Sequence, residues 1–267
     1  MYGDINILGA ITPQDIKFNE IPAINKEDLK FVNFDLALVI GENIEFADIL
    51  KQAEELQIHH DKIIKAQTVC VPNFTLDKYK KLRHSQLSIF AINCWGGHCY
   101  NLFGLPFLSP TINMFTRQSG FLEFLRNPIQ YLSETPHYIR KDFEPNMKIF
   151  YPVLKIGNIE LHMNHYPDAD EAIKIWKKRC SRVNWFNILI EMFTEDAGIL
   201  EEFDKLPYAK KVCFVPFKTD IDSAYYLDKN KYPNARFWQI ASAVAQGFIR
   251  EYDLWDMLLY GKKTPLV

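Results

Sequence analysis

The segment Asn93-Cys94-Trp95-Gly96-Gly97 carries residue types and spacing suited to chemistry. It follows an apolar run, Leu87 to Ile92, that reads as a buried strand. It precedes a proline-bounded polar stretch, Pro106-Phe107-Leu108-Ser109-Pro110-Thr111-Ile112-Asn113. Glycines after a strand let backbone N–H groups approach a ligand closely. If a helix starts here, its free N–H groups favour a phosphate or carboxylate, which makes Gly96 and Gly97 candidate ligand-binding residues. A tight turn that merely needs glycine is the competing explanation. Trp95 suits stacking on a sugar face or closing a core. Asn93, Thr111 and Asn113 are candidates to line an acceptor site and bond ligand hydroxyls; Thr111 and Asn113 equally suit capping the turn around Pro110.

Three further groups bear on chemistry. His162 and His165 lie three apart on one expected strand, so they point to opposite faces and share no metal. His165 falls in register with Ile159, Leu161 and Met163. There it is either a satisfied core histidine or a desolvated general base, and it is the candidate catalytic residue. Arg179 and Arg182, three apart on an expected helix, are surface neighbours suited to gripping a diphosphate bidentately, or to a solvated basic face. Cys94 and Cys99, with His98 between, offer too few ligands for zinc, so no metal is assigned. Cys94 as a nucleophile needs a nearby base, which sequence alone does not reveal. Neither a G-x-S-x-G elbow nor a G-x-x-x-x-G-K-[ST] loop occurs.

The elements that position these residues read as α/β. Asp35 to Ile40 is strand-like with Gly41 ending it, and Ile5 to Ile11 and Lys62 to Val69 are further strands. Phe46, Ile49, Leu50, Ala53 and Leu56 follow helical spacing between them. Strand, helix, strand implies a right-handed parallel crossover. Val71-Pro72-Asn73-Phe74 marks a boundary, giving units 1–74 and 75–267. Thr75 is a plausible N-cap, and Lys80, Lys81, Arg83 and His84 complement the end of the helix it opens. Helices follow at 98–104 and around Phe121 to Leu125. Phe150 to Ile156 and Ile159 to Tyr166 flank Gly157-Asn158 as a hairpin. Asp168 caps a helix whose buried stripe is Ala172, Ile173, Trp176, Cys180 and Val183. Strands at 187–193 and 211–217, a helix at 199–206 and closing helices at 237–249 and 252–259 complete a mainly parallel, doubly wound domain with an added β-hairpin.

Composition narrows the class. The 267 residues are 48% hydrophobic and 24% charged, as in ordinary globular proteins, and 20 Phe with 13 Tyr imply dense aromatic cores. A net charge of −2 argues against a dedicated nucleic-acid binder. Five cysteines in so long a chain point to free thiols in a reducing compartment. Met1-Tyr2-Gly3-Asp4 does not open a signal peptide, and no stretch approaches the roughly 18 to 20 apolar residues of a membrane span. A cytoplasmic location is expected; the oligomeric state is not legible.

Residues 5 to about 70 resemble the N-terminal half-Rossmann module of bacterial sugar-modifying enzymes. No G-x-G-x-x-G accompanies the first strand, so no dinucleotide cofactor is expected. The motif Asn93 to Gly97, its continuation through Gly104-Leu105-Pro106-Phe107 to Asn113, and His165-Tyr166, Ala172, Trp176, Arg179, Arg182, Val183 and Asn184 together resemble a bacterial family. It is domain of unknown function nineteen-nineteen, often labelled exopolysaccharide biosynthesis protein. His98-Cys99 departs from its commoner, apolar form. The resemblance implies a role around cell-surface glycans but no defined reaction. The expectation is a transferase of a sugar, acyl or phosphoryl group. A phosphate-bearing donor would lie on Gly96, Gly97, Arg179 and Arg182, with His165 as base. A non-catalytic scaffold of a glycan-assembly system is the alternative.

Overall fold

The computed structural model describes residues 8–11, 21–40, 46–145 and 148–266. Chain contacts divide into two units, Met1–Phe74 and Thr75–Val267. The first contains β1 (Ala37–Val39), α1 (Phe46–Glu55), β2 (Ile63–Lys65) and α2 (Ala66–Val69). β1 and β2 pair in parallel, Ala37 opposite Ile63, with α1 as the crossover between them. Ile49 and Ala53 of α1 are buried with Leu29, Ile58 and Ile63. The strand expected over 62–69 is only three residues long, because β1 offers three residues to pair with; the chain then turns into α2. Of the strand expected from Ile5 to Ile11, residues 8–11 are described and form no strand, Ala10 making only an isolated parallel bridge with Ala23; the rest of it and Gly41 lie outside the described residues.

The second unit runs α3 (Leu76–His84), β3 (Ser88–Ala91), α4 (Trp95–Phe103), α5 (Gln118–Arg126), α6 (Pro128–Ser133), β4 (His137–Glu144), β5 (Ile149–Ile156) and β6 (Ile159–His162). It continues through α7 (Ala169–Cys180), β7 (Ile188–Phe193), α8 (Ala197–Asp204), β8 (Lys210–Val215), β9 (Ala224–Tyr226), α9 (Phe237–Ala245) and α10 (Leu254–Tyr260). Two caps fall where the sequence places them. Thr75 Oγ1 accepts the Lys78 N–H at 3.1 Å, and Asp168 accepts the Glu171 N–H at 2.8 Å.

The main sheet has the order β3-β7-β8-β9 with every pair parallel. Alternate residues face opposite layers. Phe90, Ile92, Ile190, Met192, Cys213 and Val215 join a core with residues of α5, α7 and α8. On the other face, Gly96 of α4 lies against Ile89 and Ala91, Trp95 meets Phe214, and Phe193 meets Phe237 of α9. The chain therefore leaves β3 toward one face, through α4, and leaves β7 toward the other, through α8. Neighbouring strands that part in this way open a crevice at their carboxyl ends, where α/β proteins bind ligands.

The expected hairpin is present and larger than expected. β5 and β6 pair antiparallel around Gly157, whose φ of +53° is left-handed, and β4 adds a third strand. The expected strand ends sooner, since β6 stops at His162 and a turn follows, its Tyr166 N–H donating to Met163 O at 3.0 Å. β4, rich in charge and exposed along much of its length, lacks the apolar alternation that would announce it.

β3 is an edge strand, and its free edge is closed by groups from elsewhere. Ile89 N–H donates to the Tyr100 hydroxyl at 2.8 Å, which itself donates to Leu87 O at 3.0 Å. Ala91 N–H donates to Thr111 Oγ1 at 3.0 Å, and Thr116 N–H donates to Ile92 O at 3.1 Å. Phe115 then exchanges both backbone hydrogen bonds with His162, tying β3's edge to the antiparallel sheet. Replacing Thr111, which is 2% exposed, by Val keeps shape but orphans the Ala91 N–H. We predict a loss of about 1–3 kcal/mol in urea unfolding for Thr111→Val.

Candidate functional site

The site forms where β3 ends. Asn93 Oδ1 accepts the Trp95 N–H at 2.9 Å, and His98 N–H donates to the Cys94 carbonyl at 3.0 Å. These two bonds start α4 at Trp95, three residues before the expected helix, with Cys94 as its N-cap. Gly96 and Gly97 fall in the first turn, where N–H groups have no acceptor within the helix. Both are glycine for reasons of space. A Cβ on Gly96 would lie 3.2 Å from Ile89, and one on Gly97 would lie 3.2 Å from Ile112 and 3.4 Å from Asn113 Oδ1. The helix start is thereby pressed against the strand on one side and the 109–116 segment on the other.

Cys94 Sγ lies 3.4 Å from His165 Nε2. A partner base is what the sequence alone did not reveal for Cys94. His165 belongs to the exposed turn after β6, and not to the buried face of that strand, because the strand ends at His162. Burial pushes the Cys94 thiol up to about 11, opposed by a hydrogen bond from the Met114 N–H. Desolvation lowers the His165 pKa. Both shifts favour the uncharged forms, a thiol beside a neutral imidazole.

His98 sits one turn along α4. Gln246 Nε2 donates to its Nε2 at 3.2 Å, and desolvation together with His165 lowers its pKa. Ser242 and Gln246, both at α9, thus meet Asn93 and His98 of the α4 side, Asn93 Nδ2 lying 3.5 Å from Ser242 Oγ. Beneath, on β7, the Glu191 carboxyl is fully enclosed. Burial drives its pKa well above the carboxylate range, and neither carboxyl oxygen has a hydrogen-bond partner among the described residues. Among the described residues no group of three His, Cys, Asp or Glu is arranged to hold a metal.

Of the sequence candidates, Asn93, Gly96, Gly97, Asn113 and His165 gather around Cys94. Asn113 is held with φ of +59°, a region asparagine tolerates. Four candidates take other positions. Trp95 is 0% exposed, packed on Phe214, so its ring closes the core and presents no face to a ligand. Thr111 is spent on the β3 edge. Arg179 is 9% exposed and donates to Ile112 O at 2.8 Å and to the Tyr166 hydroxyl at 2.5 Å, so it braces the 109–116 segment from inside. Arg182 lies beyond the end of α7 and is exposed. The two guanidinium groups do not share a face, because the helix stops at Cys180 between them.

A model of the family described as "Domain of unknown function (DUF1919)" matches residues 65–259. An uncharacterized protein of Haemophilus influenzae is 31% identical over 154 residues, which span 55% of this chain and 71% of the relative.

Two outcomes follow. Arg179→Ala leaves a buried carbonyl and hydroxyl short of their donor and lowers stability by about 1–3 kcal/mol, whereas Arg182→Ala stays within about 0.5 kcal/mol, both read by urea unfolding. Glu191 holds its proton when folded and loses it when unfolded above about pH 4.3. Its raised pKa therefore costs stability progressively as pH rises past that point. Glu191→Gln is expected to raise the urea midpoint at pH 7 and to leave it nearly unchanged near pH 4.

Proposed function

This chain belongs to the DUF1919 family, and on that premise we propose that it is a transferase working through a covalent thioester on Cys94, in the biosynthesis of cell-surface glycans. The observation that carries the reading is the 3.4 Å approach of Cys94 Sγ to His165 Nε2 at the carboxyl end of a parallel strand. A nucleophile within reach of a base, at the edge where α/β proteins bind ligands, is the arrangement that acyl transfer needs.

In the first half-reaction Cys94 Sγ attacks the carbonyl carbon of an activated acyl donor while His165 Nε2 takes the thiol proton. The tetrahedral adduct collapses, the leaving group departs with that proton, and the acyl group remains on Cys94. In the second half an acceptor hydroxyl gives its proton to His165 and attacks the thioester. Cys94 departs and takes the proton back. Burial favours the protonated thiol at rest, so the reading needs a base, and His165 is the group in reach. The Gly96 and Gly97 N–H groups are the candidates to meet the adduct's oxyanion or an anionic portion of the donor. Asn93 and Asn113 are the candidates to position the acceptor.

The test is intact-mass analysis after incubation with acyl-coenzyme A thioesters, beside a thermal-shift panel that includes nucleotide sugars. A mass increment that maps to Cys94, absent in Cys94→Ala and slowed about 10²–10⁴-fold in His165→Ala, is the expected result. A donor at about 100 times its dissociation constant should also stabilise the fold by roughly 2.7 kcal/mol. No adduct and no stabilisation by any donor would sink the transferase and leave the scaffold reading.

A further inference from the structure

The segment joining α7 to β7 presents two aromatic side chains to solvent. Phe186 is 101% exposed and Trp185 42%, the latter with one edge against Phe90 at 6.3 Å. The segment is tied down on both sides of these rings. Asn184 N–H donates to Ser88 Oγ at 2.8 Å and its Nδ2 to Gln86 O at 2.9 Å. Asn184 Oδ1 accepts the Phe186 N–H at 3.2 Å. Asn187 Nδ2 donates to Ser85 O at 2.7 Å, and Lys210 Nζ donates to Asn187 Oδ1 at 2.7 Å. Phe186 is thus held outward by a preorganised loop.

The charge in the sequence that flanks it has one sign. Exposed Lys177, Lys178 and Arg182 lead into the loop, and Lys80, Lys81, Arg83 and His84 end α3, whose following residues Ser85 and Gln86 anchor it. No Asp or Glu occurs between Asp77 and Glu123, or between Glu171 and Glu191. Cations at helix ends are explained by the helix dipole. A phenylalanine held at full exposure on a tethered loop is not.

We infer that this end of the second unit docks on an anionic lipid bilayer, with Phe186 and Trp185 entering the boundary between headgroups and acyl chains and the surrounding cations resting on lipid phosphates. A bilayer offers apolar depth without a shaped pocket, which Phe186, lacking any polar tip, requires. It also offers a diffuse negative potential, which suits cations spread over two helix ends better than discrete partners would. Two ring faces are well below the roughly 1,200 Å² of a stable protein interface. Among the described residues no helix is long and apolar enough to cross a membrane, so the contact is a surface one.

The test is co-sedimentation of the full chain with vesicles of phosphatidylcholine alone and with about one-third phosphatidylglycerol. Partition is expected only onto the anionic vesicles, falling steeply as salt rises. Phe186→Ser, at a position without packing to lose, should reduce it at least about fivefold while leaving the thermal midpoint unchanged, and Arg182→Glu should act the same way. Equal partition of Phe186→Ser and the parent protein, or no partition at low salt, overturns the inference. So does a dimer in light scattering that Phe186→Ser dissolves, which would give the loop to a second copy of the chain. None of these outcomes touches the thioester reading, whose readout is the Cys94 adduct.

Discussion

The free edge of β3 is the constraint from which the site follows. In a parallel pair only alternate residues bond to the neighbour, so Ser88 and Ile92 donate to β7 while Ile89 and Ala91 face outward with nothing beside them. Buried N–H groups without acceptors are costly, so something must cover that edge. The Tyr100 hydroxyl, Thr111 Oγ1 and the Thr116 N–H do so. To supply Thr111 and Thr116, the chain after α4 has to run back along β3. That return brings Asn113 beside Gly97 and the Met114 N–H to the Cys94 sulfur. The Phe115–His162 bridge then delivers the end of β6, with His165 three residues on, to the same sulfur. An edge problem and a candidate active site have one solution.

The electrostatics of that solution are those of a neutral site. Burial moves Cys94, His98, His165 and Glu191 each toward its uncharged form. The cation that approaches from below, Arg179, is committed to Ile112 O and Tyr166 and shares its face with the Phe107 and Tyr166 rings at 5.9 and 6.0 Å. A buried guanidinium is tolerable because its hydrogen bonds replace water; freeing it to bind a phosphate would take one of two donors from Ile112 O and the donor from the Tyr166 hydroxyl oxygen. A ligand arriving at Cys94 therefore meets backbone N–H groups, two asparagines and histidine rings. In the proposed thioester chemistry, reactivity there depends on a proton moving from sulfur to nitrogen.

The fold was largely legible because its signals are local. The Thr75 and Asp168 caps, the run into Cys94 and the Gly157 turn each need only a few neighbouring residues to be recognised. What escaped was set by distant partners. β9 is three residues long and exists because β8 offers an edge to it, which no periodicity records. Arg179 and Arg182 share the helical spacing of a phosphate clamp, yet Arg179 was drawn inward by a carbonyl 67 residues away. Cys94 and His165 are 71 residues apart, so their pairing was invisible, although each was singled out alone. The departure at His98 was a usable signal: a polar residue among apolar ones, one turn from the cysteine, now hydrogen-bonded to Gln246.

Parallel strand direction divides the labour between the two ends of the main sheet. Every strand of β3-β7-β8-β9 points the same way, so helix starts and their free N–H groups collect at the carboxyl edge. The ends of α3 and α7, the negative ends of their dipoles, collect at the opposite edge, where Lys80, Lys81, Lys177 and Lys178 stand. The proposed proton-shuttling pair lies at the first edge. Contact with an anionic surface belongs at the second, where cations are already required by the helix ends. Trp185 and Phe186 lie at that edge, opposite the one that holds Cys94, so the proposed bilayer contact would leave the mouth of the proposed site open.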